Sequence, residues 1–325
     1  DRLETALDEA IARLGPATTP VVTMTGELAD VFESRAHGVA AITAMLEARL
    51  GTLLVYAGRS GFVPSSQVSS HVGDIASANW HASAALAARF VPDALLVDMG
   101  STTTDIVPLV SGAVRHAGYS DAERLASGEL VYTGLTRSFV MTLGPRAPVS
   151  GEWIALAGEY FASTADVYRV LGALPDGADQ LPAADGRAKT VPASTARLAR
   201  MVGRDAADAD EASWRALAAW FAEVQLRQIE EGARLVLSRA ALDRAAPVIG
   251  AGIGRGVIEQ LAMRLRRPYR DFGELVCPSP QPSPRARGEG AATPNPSPPR
   301  GRGLGEGDCA PAVAVALLAL GQSRA

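Results

Sequence analysis

Between two apolar runs, 94–98 (ALLVD) and 106–110 (IVPLV), the chain carries the loop DMGSTTTD from Asp98 to Asp105. No other feature constrains the fold as strongly. A continuous apolar run ending in an acid reads as a buried strand, and the hydroxyl-rich loop after it must turn the chain back. Gly100 permits close approach of a ligand to the backbone. Ser101, Thr102, Thr103 and Thr104 supply hydroxyls and successive N–H groups that can cradle phosphate oxygens. Asp98, at the strand end, is placed to hold Mg²⁺ through water, and Asp105 to hold the loop or a nucleophile. The plain alternative is a Ser/Thr-rich hairpin turn with capping acids; two acids bracketing a Gly-hydroxyl loop disfavour it.

Around this loop strands alternate with helices, which predicts α/β architecture. Leu3, Leu7, Ala10, Ile11 and Leu14 fall at helical spacing, and Gly15-Pro16 ends the pattern. The spacing predicts further helices over 36–50, 74–89, 210–242, 257–265 and 310–320, and strands over 20–25, 52–56 and 113–116. The stretch 143–204 reads as irregular. A second glycine cluster, Gly250-Ala-Gly-Ile-Gly254, follows the apolar 247–249 and precedes a helix. Glycines at such a turn let a ligand approach a helix N-terminus, so Gly250, Gly252 and Gly254 are candidate phosphate-binding positions. A tight turn explains them as well.

Other acids stand beside aromatics or glycines: Glu129 in SGELVYTG, Asp166 in EYFASTADVYR and Asp185 in AADGR. They read as substrate or metal contacts, or as turn acids and caps. The histidines, His37, His71, His81 and His116, show no metal-ligand spacing. Only His81, beside Asn79 and Trp80, reads as a pocket residue, against a core histidine as the bland alternative.

Composition narrows the class. The net charge of −4, from 31 basic and 35 acidic residues, offers no basic patch for nucleic acid. No apolar run has the length of a membrane span, and no signal peptide is read. Cys277 and Cys309 suggest neither disulfide nor metal site. A cytoplasmic enzyme acting on small molecules is the expectation, with the oligomeric state open to a homo-oligomer. The segment 278–307 holds two imperfect copies of a Pro/Gly/Arg-rich unit, PQPSPRARGEG and PNPSPPRGRGLGEG. Such composition cannot build a core and reads as a disordered insertion in a surface loop. The predicted division is a partial N-terminal α/β lobe over 1–93 and a second lobe over 94–277 with 308–325. The chain starts at Asp1 without a methionine, already in a helix, so an element ahead of it is expected.

Six blocks taken in order carry a resemblance: VTMTGELADVF (22–32), SANWHA (77–82), VDMGSTTTDIVPL (97–109), SGELVYTGLTR (127–137), EYFASTADVYRVLG (159–172) and ADGRAKTVPASTARLARMVGRD (184–205). The loop is similar to the second phosphate loop of the hydantoinase A/oxoprolinase branch of the actin-like ATPase superfamily. The full set resembles the tetrahydromethanopterin-linked one-carbon-transfer pathway proteins and, through them, archaeal methanofuran-biosynthesis synthases. The resemblance implies an actin-like (ribonuclease H-like) fold in two lobes. It also implies Mg²⁺, a diphosphate substrate and a phenolic amine acceptor, condensed to an ether with release of diphosphate. Asp98, Asp105, Glu129 and His81 are then the candidates for general base. ATP enters in the alternative of a kinase or an oxoprolinase-like amide hydrolase; a non-catalytic pathway protein is the third. Family members begin with a strand bearing a DIGGA-like first phosphate loop, and nothing like it precedes Leu3.

Overall fold

The computed structural model describes residues 2–14, 19–276 and 307–322. Apart from Gly307, the predicted insertion lies outside the described residues, as does Cys277. In chain order the elements are α1 (Arg2–Leu14), β1 (Val21–Val22), α2 (Arg35–Leu50), β2 (Leu54–Tyr56), β3 (Phe62–Pro64), α3 (Val72–Ile75), α4 (Asn79–Phe90), β4 (Ala94–Met99), β5 (Thr104–Val110) and β6 (Ala113–Val114). There follow α5 (Asp121–Ser127), β7 (Leu130–Val131), β8 (Arg146–Val149), β9 (Glu152–Ala155), α6 (Thr164–Leu171), α7 (Val191–Met201), α8 (Glu211–Arg239), β10 (Val248–Ala251), α9 (Arg255–Leu265), β11 (Tyr269–Asp271), α10 (Phe272–Val276) and α11 (Ala310–Gln322).

The main sheet runs β11-β10-β4-β5-β6, with β7 also paired to β5. Strands β4, β5 and β6 are antiparallel, while β10 lies parallel to both β4 and β11. Every residue of β4 is buried, as a central strand covered on both faces demands. Alternation sorts its side chains. Leu95, Val97 and Met99 pack with Ile229, Ala233 and Val236 of α8 and Ile258 and Leu261 of α9. Ala94 and Leu96 pack with α4 and α11, where alanines such as Ala82, Ala87, Ala310 and Ala314 let the helices sit close. The long helix α8 starts where the Asp210 side chain accepts from the Ser213 N–H. It buries Trp214, Leu217, Phe221, Leu226 and Ile229, each worth about 1.5–3 kcal/mol relative to exposure.

A small lobe is built on β1 and β2, which are parallel, with β3 antiparallel to β2. Met24, Val39, Ile42, Leu46, Val55 and Ile75 form its core. No helix among the described residues is long and apolar enough to cross a membrane.

Two readings of the chain change. The predicted helix over 74–89 is two helices, α3 and α4, separated at Ser77, whose φ is +58°. After that break α4 covers the main sheet at Leu96, Val107 and Leu109 while keeping contact with Tyr56 of β2. The stretch read as irregular, 143–204, holds the β8–β9 hairpin, α6 and α7. Helix α6 spans only 8 residues and α7 only 11, too short for a periodic pattern to stand out. Caps set them instead: a Ser163–Asp166 capping box, and Thr190 with a proline in the first turn of α7.

Candidate functional site

The loop expected to carry chemistry is the turn of the β4–β5 hairpin. The Gly100 N–H donates to the Thr103 carbonyl at 2.9 Å, closing the turn. The segment after β7 clamps its outer side: Leu135 N–H donates to the Gly100 carbonyl at 2.9 Å, and Thr136 and Arg137 N–H groups donate to the Ser101 carbonyl at 3.2 and 2.8 Å. With those carbonyls turned outward, the N–H groups of Ser101, Thr102 and Thr103 donate to no described residue. Three successive free N–H groups in a turn form an anion-binding concavity. A Cβ on Gly100 would meet only the Thr103 carbonyl, at 3.7 Å, so there is open space beside the cradle. Gly134 is the tight position. A Cβ there would stand 2.5 Å from the Ser101 carbonyl and the Thr102 nitrogen, so only glycine lets the clamp approach the loop.

The clamp is itself fixed from behind. The Gln225 side chain, on α8, donates to the Thr133 hydroxyl (2.7 Å) and the Gly134 carbonyl (2.8 Å), and accepts from the Tyr168 hydroxyl (2.7 Å). The Thr104 hydroxyl donates to the Thr133 carbonyl at 2.8 Å, and that of Thr164 to the Gly134 carbonyl at 3.0 Å. These buried polar groups are satisfied, which rigidifies the loop.

Gly100, Ser101 and Thr102 open onto a cavity of about 1010 Å³, whose wall includes Tyr132, Arg137, Phe139, Asp166, Asp179, Ile253 and Asp308. Asp166 accepts from Arg197 (2.7 Å) and the Ser194 hydroxyl (2.7 Å), Asp185 pairs with Arg197 at 3.0 Å, and Asp179 pairs with Arg169. Asp166 and Asp185 are thus parts of one ionic network. It ties α6 to α7, and Asp166 reaches the cavity wall while Asp185 does not.

Asp98 and Asp105 are cross-strand partners and share a face of the sheet, on the side of α4. Neither lines the cavity; only the tip of their loop does. Asp105 accepts from Arg124 at 2.7 Å, and Arg124 lies 4.0 Å over the Trp80 ring. The Asp98 carboxylate, in a residue 7 % exposed, accepts no hydrogen bond from a described residue. Burial, then the neighbouring Asp105, raises its pKa to about 7, against the opposing pull of Arg255. Burial raises Asp105 as well, partly offset by Arg124. Among the described residues no three His, Cys, Asp or Glu side chains are placed to hold a metal. Two adjacent carboxylates pushed toward their neutral forms still suit a hard cation, because Mg²⁺ is commonly held by one or two carboxylates plus substrate phosphates.

Other candidates take different parts. Glu129 is nearly fully buried; it accepts from the Ala117 and Gly118 N–H groups at 2.7 and 2.9 Å and pairs with Arg239 at 3.1 Å. Burial pushes its pKa up, but these donors prevail and hold it below the usual range. It is an anchor for the 117–118 turn and stands outside the cavity wall. The GAGIG glycines turn inward. A Cβ on Gly250 would strike the Tyr269 ring, one on Gly252 the Asp98 carboxylate and Met99 backbone, and one on Gly254 the Met99 side chain. Gly254 N–H donates to the Met99 carbonyl at 2.9 Å. The cluster therefore packs against Asp98 and Met99 at the end of β4, and Ile253 is its contribution to the cavity. His81 Nδ1 lies 2.8 Å from the Tyr56 hydroxyl, and burial, then His116 and Arg124, lowers its pKa to about 4.

Sequence reasoning missed Arg124, Arg137, Gln225 and Glu27. Glu27, 1 % exposed, accepts from the Ser77 N–H at 2.7 Å with one oxygen, while the other has no partner. The signal for it was the TGELADVF block itself. For Arg124 and Gln225 there was none, since their partners lie 19 and 91–92 residues away.

The mixed sheet with this loop at the ends of its central strands defines an α/β protein of the actin-like ATPase type. Residues 18–267 match the hydantoinase/oxoprolinase family, and the chain belongs to it. It is 34 % identical over 184 residues to the (4-{4-[2-(γ-L-glutamylamino)ethyl]phenoxymethyl}furan-2-yl)methanamine synthase of Methanocaldococcus jannaschii, covering 56 % of each chain. It is 33 % identical over 111 residues to the synthase of the same name from Methanococcus vannielii, covering 34 % of this chain and 50 % of that one. The chain thus spans about half the length of the curated relatives it matches. A nucleotide-free acetone carboxylase structure overlays 80 % of this chain and 41 % of its own, at 13 % identity and a TM-score of 0.46.

Proposed function

We propose that this protein is a transferase that joins a furan-methyl diphosphate to a phenolic amine such as γ-glutamyltyramine, forming an aryl ether and releasing diphosphate. The relatives' name describes a product with a phenoxymethyl-furan linkage. The observation that carries the reading is the rigid turn whose Ser101, Thr102 and Thr103 N–H groups have no protein acceptor, beside a cavity large enough for two small aromatic substrates. In the reaction the phenolic oxygen attacks the furan-methyl carbon, the carbon–oxygen bond to diphosphate breaks, and the phenolic proton is lost. Negative charge grows on the leaving diphosphate, and preorganised N–H donors stabilise it without reorganising. Mg²⁺, when bound, would be held by Asp98 and Asp105 together with phosphate oxygens, and would neutralise part of that charge.

Of the four sequence candidates for the base, Glu129, Asp105 and His81 are engaged by protein partners. Asp98 accepts no hydrogen bond from a described residue, but it lies beside Asp105 outside the cavity wall, a place that suits holding the metal and not deprotonating the phenol. The test is diphosphate release from an aminomethylfuran-methyl diphosphate and γ-glutamyltyramine with Mg²⁺ and no ATP, using this chain and a form extended by the family's first phosphate loop. Acceptor-dependent release that Asp98→Ala abolishes supports the transferase. ATP hydrolysis or phosphoryl transfer with no such release supports the kinase or amide-hydrolase alternative instead.

A further inference from the structure

The cavity wall carries four charged side chains, Arg137, Asp166, Asp179 and Asp308. The three acids are each paired with a protein guanidinium: Asp166 with Arg197, Asp179 with Arg169, and Asp308 with Arg255 at 2.9 Å. Arg137 differs. It is exposed, and its guanidinium makes no hydrogen bond or ion pair with a described residue. Its backbone is not free, because its N–H donates to the Ser101 carbonyl at 2.8 Å. The structure therefore fixes an uncommitted cation at its root, next to the N–H cradle.

Two aromatic side chains flank it on the same clamped segment. Tyr132 is 70 % exposed and Phe139 37 % exposed, and both line the cavity. Phe139 packs edge-to-face on Tyr160, with ring centroids 4.5 Å apart, and Tyr160 is itself 61 % exposed. Large rings held in water on a rigid segment add nothing to the core; lining a cavity, they mark a surface for a flat apolar partner. One stretch, 132–139, thus shows aromatic, cation and aromatic to the cavity, beside an anion cradle.

We infer that Arg137 binds the substrate diphosphate together with the neighbouring Ser101–Thr103 cradle, and that Tyr132 and Phe139 form the shelf for the ring attached to it. The ligand class is an arylmethyl or heteroarylmethyl diphosphate, read as one unit by charge and ring together. The inference rests on the diphosphate reading given under Proposed function. A guanidinium suits a diphosphate because its planar fork donates two parallel hydrogen bonds to phosphate oxygens. Arg137 lies with the substrate, so it is a binding residue whose loss weakens substrate association first.

Two probes in calorimetric titrations with Mg²⁺ separate the parts: inorganic diphosphate, and 2-phenylethyl diphosphate, which bears a ring but carries its diphosphate on a carbon the ring does not activate. Arg137→Gln is expected to weaken both about tenfold or more, and Arg137→Lys to recover part of the loss. Phe139→Ala and Tyr132→Ala are expected to leave inorganic diphosphate unchanged and to weaken the aryl probe severalfold. All three positions are at the surface, so unchanged circular dichroism and melting curves confirm intact folds. Wild-type binding that both Arg137 variants retain in full would overturn the inference and leave the proposed function standing. Binding of ATP with no binding of either diphosphate probe would overturn both.

Discussion

At the scale of single residues, the site depends on one missing side chain. Gly134 stands where a Cβ would press on the Ser101 carbonyl and Thr102 nitrogen at 2.5 Å. Those are backbone atoms, which cannot swing aside as a flexible side chain would. Gly134→Ala is expected to cost about 1–3 kcal/mol by overpacking, and to weaken diphosphate binding because the cradle is pushed from its place. Urea denaturation and calorimetry check the two effects; a variant normal in both would show that the clamp does not shape the loop. Gly100, the residue that drew attention in the sequence, has the opposite character. Its Cβ would meet almost nothing, so what occupies that space is set by function and not by packing.

At the scale of elements, α4 is the piece with the largest consequence. The sequence places a helix near 74–89, and Ser77 breaks it with a left-handed φ of +58°, a conformation rare for a residue with a Cβ. The break aims the Ser77 N–H at the buried Glu27 and turns α4 onto the main sheet. There His81 sits between Tyr56, Trp80 and His116. Its folded pKa of about 4 lies below the ordinary value of 6.5. The unfolded chain therefore takes up the proton first, so the stabilising contribution is complete above about pH 6.5 and drains away as pH falls toward 4. Since carboxylates titrate over the same range, the reading is a difference. Wild type is expected to lose more stability between pH 7 and pH 4.5 than His81→Gln does. Parallel losses in the two proteins would mean that His81 titrates normally in the fold.

At the scale of the whole molecule, the two lobes meet along a seam. Tyr119 donates its hydroxyl to the Asp74 carbonyl at 2.8 Å and lies under Arg59, while Ser77 reaches Asp121 at 3.1 Å. Gly58 is the closest approach: its φ is +48°, and an added Cβ would overlap the Tyr119 hydroxyl. Gly58→Ala is expected to open the seam before it unfolds either lobe. Hydrogen exchange should speed up over 54–64 and 72–76 while 94–110 stays protected. Equal acceleration in both regions would show a single cooperative unit instead.

The strand, the hydroxyl-rich turn and the return strand were legible from Asp98 to Val110 because a hairpin is a local structure, encoded by neighbours. Helix α8 was legible for the same reason: its apolar residues recur over 29 positions, long enough for a period to show. So was the resemblance that the family match bears out. What tertiary packing alone decided was the use of each candidate. It turned Gly250, Gly252 and Gly254 against Tyr269, Asp98 and Met99, tied Glu129 to a turn, and saturated Asp166 with Arg197. It also left the Asp98 carboxylate and the Arg137 guanidinium without a hydrogen bond to a described residue. The reason is physical. A charged or polar group is free or spent according to what the rest of the chain brings within about 3 Å of it, and those contacts cross tens of residues that no local pattern records.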